Sequence, residues 1–237
     1  MDGFTWNLLL AAAGIAFTHT LLGPDHYVPF LMLARANRWS RMRTLAVTTL
    51  CGVGHVASSI LLGAIGIAAG VAATRLGMIE SVRGDWAAWA LIAFGVAYGA
   101  WGVRLAIRRK RGLEPHEHGG HAHLHHGGGH LHHHSPREIE STRPNATFWT
   151  LFAIFVLGPC EPLIPLLILP ASRGRWGVMW GTALLFGLIT VATMVILTLA
   201  GAAGLERIPT AGVERWSHAM AGAVIAASGL AVVGLGL

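Results

Sequence analysis

Charge is what this chain has least of. Only 12% of its 237 residues are Asp, Glu, Lys or Arg, against 54% hydrophobic, which excludes an ordinary soluble domain. Long uncharged runs place it among membrane proteins. Acidic residues are fewer than basic ones, 11 against 17, and in such a chain the excess reports on topology and does not imply nucleic acid. Cys51 and Cys160 are the two cysteines, both in apolar runs, so a secreted disulfide framework is excluded. No basic segment precedes the first apolar run, so no signal peptide is expected. A nucleotide-binding loop and a His-Glu-x-x-His zinc motif are both missing, so ATP coupling within this chain and enzyme activity are not expected.

Against this background the stretch His19-Thr-Leu-Leu-Gly-Pro-Asp25-His26 stands out. It sets two imidazoles and a carboxylate inside a run otherwise suited to lipid. An ionised Asp at bilayer depth costs about 2.5–3.5 kcal/mol, so it normally faces a partner or a wet cavity. Pro24 lacks an N–H and breaks or bends the helix. A broken helix that carries ligands is how transporter sites are commonly built.

The remaining chain divides into an all-α, polytopic pattern of six transmembrane segments. Trp6 to Ala34 is the first, interrupted at Gly23-Pro24; about Thr44 to Ala73 is the second and carries His55. Arg75 to Asp85 reads as a short mixed-charge loop before the third segment, Trp86 to about Ile107. Three further segments follow, at about Ala146 to Ala171, Trp176 to Leu205 and Trp216 to Leu237. Between the halves lies Arg108 to Asn145, a Gly/His-rich stretch with ten histidines from His116 to His134, too poor in apolar residues to fold and suited to metal binding as a disordered tract. The organisation is thus 1–107, 108–145 and 146–237.

The outer parts read as copies of one another. Leu22-Gly-Pro-Asp25-His26 aligns with Leu157-Gly-Pro-Cys160-Glu161, and Gly52-Val-Gly-His55-Val-Ala-Ser58 with Gly187-Leu-Ile-Thr190-Val-Ala-Thr193. Trp86 and Gly99 likewise match Trp216 and Gly229. Three segments per copy invert the second relative to the first, with Gly-Pro-broken helices 1 and 4 meeting near the midplane. If loops alternate sides, one side collects Arg35 through Arg43, Arg104 through Arg111, Arg137, Arg143, Arg207 and Arg215, while the other has Arg75, Arg83, Arg173 and Arg175. The positive-inside bias then puts the His-rich loop in the cytoplasm and both termini outside.

The candidate site residues are His19, Asp25, His26, His55, Cys160 and Glu161. Their mixture of imidazole, carboxylate and thiol suits nickel, cobalt, zinc or copper better than magnesium or calcium. Cys51 reads as packing and His218 as structural.

The His19/Asp25-His26 motif, the Gly54-His55-x-x-Ser58 pattern and the long His-rich loop together resemble the nickel/cobalt transporter superfamily, which includes permeases, His-rich efflux proteins and urease-accessory membrane proteins. The likeness spans both halves loosely, and its specific part is short. Permeases carry His-x4-Asp-His, whereas five residues separate His19 from Asp25 here and the first acidic residue of that motif is missing. The resemblance implies that His19, Asp25, His26 and His55 handle the metal, in a bacterial cytoplasmic membrane. The expected function is transport of a divalent transition-metal ion, Ni2+ or Co2+ first and Zn2+ or iron next, coupled to an ion gradient, with export preferred because a cytoplasmic His tract would collect surplus ion. No permanently bound cofactor is expected; the partners are the ion and the lipid bilayer, and an oligomer is compatible.

Two other readings start from the same residues. Leu157-Gly-Pro-Cys160 also resembles the Pro-Cys helices of membrane thiol-disulfide carriers, but a carrier needs a second cysteine at the matching position, and that position is Asp25. A sulfite or organosulfonate exporter of related architecture would want a basic residue deep in a break, and none is expected there.

Overall fold

Proline and glycine set the joints of this chain, and long apolar runs fill the spaces between them. The computed structural model describes residues 2–110, 116–118, 121–123, 144–207 and 214–235. Helix α1 spans Gly3–Leu22; a 3-10 turn, Pro24–His26, leads into α2, Val28–Ala36. Then come α3, Arg41–Ala68, and α4, Ala73–Lys110. Helices α5, Pro144–Leu157, and α6, Leu163–Ala171, flank the second Gly-Pro break; α7 is Trp176–Glu206, and a turn at Glu214–Trp216 opens α8, Ser217–Leu235. Within the His-rich stretch, β1, His116–His118, and β2, His121–His123, form a small antiparallel pair with His116 opposite His123. The rest of that tract, and with it most of the expectation of disorder, lies outside the described residues.

The architecture is all-helical, with five helices long and apolar enough to cross a membrane: α1, α3, α4, α7 and the Glu214–Leu235 unit. The segment expected at Ala146 to Ala171 divides into helices of 14 and 9 residues, each too short for a span of about 20. A second difference is at Arg75 to Asp85, expected as a loop: α4 already begins at Ala73. Charged residues there are tolerated because two of them pair inside the protein, as described below. The turn before α4 places Gly70 at φ 67°, in the left-handed region that glycine enters without penalty.

Side-chain caps fix the starts of α1 and α3. Asp2 accepts from the Thr5 N–H at 3.1 Å, and Ser40 Oγ accepts from the Arg43 N–H at 3.2 Å, each satisfying a donor the helix leaves open. Asp2 also receives both Arg175 nitrogens, at 2.8 and 3.0 Å, tying the start of α1 to the α6–α7 turn. The most extensive packing is of α4 on α8, where Gly95, Gly99 and Gly102 meet Ala219, Gly222 and Ala226 with no room for a Cβ on Gly95, Gly102 or Gly222. Small residues allow such close backbones where the hydrophobic effect cannot drive helices together. Helix α1 packs on α7, α5 on α3, and α3 on α7. Outward faces are apolar, with Leu184 and Leu188 of α7 exposed to 70% and 69%.

Two buried clusters make the interior. One joins Leu8, Ala12 and Ala16 of α1 to Val56, Cys160, Leu163, Leu167 and Phe186. The other joins Phe30 and Leu33 of α2 to Cys51, Leu151, Phe155, Met194 and Ile225. Cys51 is accordingly a packing residue.

Candidate metal centre

Helix α1 ends at Leu22 because Pro24 cannot continue the ladder, and Gly23 closes it by donating its N–H to His19 O at 3.0 Å. The following turn turns Asp25 and His26 toward that end. His26 is 3% exposed, with Nδ1 at 3.1 Å from Asp25 Oδ1 and 3.3 Å from Gly23 O. Both neighbours accept, so in the neutral ring Nδ1 carries the proton and Nε2 keeps its lone pair. That Nε2 is buried without a hydrogen-bond partner, and so is Nε2 of His19. The two rings meet edge to face at 4.8 Å. A carboxylate that holds one imidazole nitrogen while the other is left open is the arrangement that orients a metal-binding histidine.

Gly23 is required here by space. A Cβ on it would lie 2.6 Å from His26 Nδ1 and 2.9 Å from Asp25 Oδ1, while its φ of −83° is open to any residue.

His55 comes to the same place from the middle of α3. Its Nδ1 is 3.2 Å from Phe155 O and its Nε2 is 3.0 Å from Cys160 Sγ, and its ring stands 5.0 Å from that of His26. Nδ1 donates to the carbonyl, so Nε2 accepts from the thiol. Gly158 gives this ring its room, since a Cβ there would be 3.2 Å from His55 Nδ1.

His19, His26 and His55 therefore each offer a ligand atom, all within 4.8 Å of one another. Tetrahedral ligation at about 2.1 Å separates imidazole nitrogens by about 3.4 Å, so ring rotations of about an ångström would draw the three onto one ion, with His55 giving up one of its two hydrogen bonds. Of the six expected residues, three imidazoles converge, Asp25 holds His26, and Cys160 holds His55. Glu161 is exposed and stands near Gly84 at the edge of the cavity that serves the cluster. That cavity, of about 570 Å³, is lined by His19, Asp25, His26 and His55 together with Asp85 and Glu161. Carboxylates around such a space raise the local concentration of cations.

The residues that sequence reasoning missed lie on α4. Glu80 is fully buried and pairs with Arg83 at 2.6 Å, the Arg83 side chain being 20% exposed. Arg83 also donates to Val156 O in the last turn of α5 at 2.9 Å. A basic residue thus does reach the second break, contrary to expectation, but its charge is matched by Glu80. The available signal was the Glu80-x-x-Arg83 spacing, which places both side chains on one helix face. Cys51 and Cys160 are both free and buried and fall in separate core clusters.

The chain matches no family model, no curated protein and no solved structure.

Proposed function

We propose that this protein is a membrane transporter of divalent transition-metal ions, similar to the nickel/cobalt transporter superfamily, with nickel or cobalt as first cargo and zinc or iron suited to the same ligands. The observation that carries the reading is the pair of buried, unpartnered Nε2 atoms of His19 and His26 beside His55, with His26 oriented by Asp25. Lone pairs are costly to bury unmatched, and here they adjoin a cavity large enough to admit a partly hydrated ion. An ion that must leave again is served by three neutral imidazoles better than by a closed cage of thiolates and carboxylates.

Packing supports the finer reading of six segments in two inverted halves. Helix α1 lies on α7 as α5 lies on α3, and Gly52 of α3 faces Val191 where Gly187 of α7 faces Val56. Alternation of the connections across the bilayer is supported from both ends. Arg38 meets Glu214 at 3.4 Å, which joins the α2–α3 turn to the turn before α8. Asp2 meets Arg175 at 2.8 Å, joining the start of the chain to the α6–α7 turn. With the positive-inside bias, the His-rich stretch then faces the cytoplasm of a bacterial cell and the termini lie outside. Transport is coupled to an ion gradient, and export is the preferred direction.

The test is flux in liposomes that contain a fluorescent chelator, with nickel, cobalt and zinc supplied in turn. Wild-type protein is expected to pass at least one of them, and folded His19→Ala and His26→Ala variants to pass none. Folded wild-type protein that moves none of the three ions overturns the reading.

A further inference from the structure

Glu80 and Arg83 form the most deeply placed ion pair among the described residues, and the metal chemistry above does not use them. Their hydrogen bonds lead to the second helix break. Arg83 Nη1 donates to Glu80 Oε1 at 2.6 Å. Arg83 Nη2 donates to Ser58 Oγ at 3.0 Å and to Val156 O at 2.9 Å. Ser58 in turn donates to His55 O at 2.8 Å. On the other carboxylate oxygen, Ser59 Oγ donates to Glu80 Oε2 at 3.3 Å and accepts from the Cys160 N–H at 2.9 Å. The chain Cys160 N–H, Ser59 hydroxyl, Glu80 carboxylate, Arg83 guanidinium, Val156 carbonyl therefore closes around the break on both sides.

Each link meets a need of interrupted backbone. Val156 O is among the carbonyls that α5 leaves open where it ends, and the Cys160 N–H lies in the non-helical stretch that follows. The Cys160 N–H is buried and the Val156 carbonyl lies on a half-buried residue, so both gain from a partner within the protein. Arginine can serve three acceptors from one planar fork, which lysine cannot. Among the described residues the first break shows no such link from another helix: His26 Nδ1 meets Gly23 O and Asp25 Oδ1 within the break itself, and His26 Nε2 has no partner. Under the alignment of Trp86 with Trp216, Glu80 and Arg83 match Thr210 and Val213, so the second copy does not repeat the pair.

We infer that Glu80 and Arg83, acting through Ser59, are positioning residues of the site: they hold the second break so that Cys160 Sγ stays against His55 Nε2 and the His55 ring stays facing His26. Cys160 is the point of connection, fully buried and 3.0 Å from the imidazole. The hold on Cys160 stands on geometry alone, while its consequence for ion binding rests on the transporter reading.

The two cysteines make the test direct. Both are buried, in different clusters, so alkylation of Cys160 in a Cys51→Ser background reports on the break and alkylation of Cys51 in a Cys160→Ser background reports on general loosening. Ser59→Ala removes one link and leaves the ion pair intact; Glu80→Gln and Arg83→Lys keep size while removing the charge or the fork. In folded variants, Cys160 is expected to react about tenfold faster or more, an opening equilibrium shifted by about 1.4 kcal/mol, with Cys51 unchanged. Unchanged Cys160 reactivity in Ser59→Ala overturns the inference, as does equal acceleration at both cysteines, which would mark a general stability effect. If Glu80→Gln and Arg83→Lys do not fold, Ser59→Ala alone decides. Titration with Co2+ then adds the second readout: affinity weakened in Ser59→Ala supports the link to His55, and unchanged affinity overturns that link. Wild-type protein that binds no Co2+ would count against the transporter reading while leaving the thiol result to stand.

Discussion

Gly23 shows how a single missing methyl group makes room for the centre. Its replacement by alanine sets a Cβ against His26 Nδ1 at 2.6 Å and Asp25 Oδ1 at 2.9 Å, so the ring or the carboxylate must leave its place. The backbone is ordinary there, and the helix end should survive. Gly23→Ala is therefore expected to weaken Co2+ or Ni2+ binding by about 10–100-fold, the usual effect of disturbing a group that orients a ligand, with the helical circular dichroism of the wild type. Isothermal titration in detergent checks it. The four histidine and aspartate positions of the first break and α3 were legible in the sequence because imidazoles and a carboxylate inside an apolar run are conspicuous. Their division of labour was not legible: that Asp25 holds His26 while Cys160 holds His55 depends on which atoms meet across 105 residues of chain.

Among the elements, α4 and α8 depend most on the absence of side chains. Gly222 lies against the backbone of Gly95 and Gly99, and a large residue has nowhere to go except between the helices. Gly222→Leu is expected to lower stability by on the order of 3 kcal/mol through overpacking, read as a fall in the thermal midpoint in detergent, whereas Gly234→Leu, with open space around it, should leave the midpoint nearly unchanged. The start of α1 is held electrostatically. Hydrogen bonds from Arg175 and then Thr5 keep the Asp2 carboxyl well below the usual carboxylate range. A lowered folded-state value means the stabilisation is complete above the ordinary carboxylate pKa and disappears only as pH falls through the folded one. Asp2→Asn should then lower the thermal midpoint by the same amount at about pH 5 and about pH 8, since the carboxylate is ionised at both. A loss that differs between the two would mean that another group controls the start of the helix.

At the scale of the whole molecule, the His cluster lies where two interrupted helices meet α3. Polar groups at such breaks are tolerated because they face protein or a wet cavity and not lipid. If the imidazoles and carboxylates around the cavity exchange protons for the ion, metal flux in liposomes should rise with an imposed pH gradient and fall when an ionophore collapses it. Equal rates with and without the gradient would remove protons as the coupling ion and direct attention to other cations. The same experiment, run with each orientation of the gradient, reports whether export is the favoured direction.

The sequence by itself determined the helical class, the positions of both breaks and the residues of the first one, because hydropathy, proline and glycine act locally along the chain. It also marked out the apolar runs, although it counted the broken fourth run as a full span, where α5 and α6 on either side of Gly158-Pro159 are 14 and 9 residues long. What only the tertiary structure decided was the convergence. His55 reaches the first break from another helix, Glu161 turns to the edge of the cavity, and a stretch that read as a loop becomes the helix carrying Glu80 and Arg83. Charge in a sequence is a local property, but its cost depends on what the fold places beside it. Glu80 and Arg83 belong to a stretch that read as a loop; the helix gives each the other as a partner, and the packing of α4 against α3 and α5 adds Ser58, Ser59 and Val156 O.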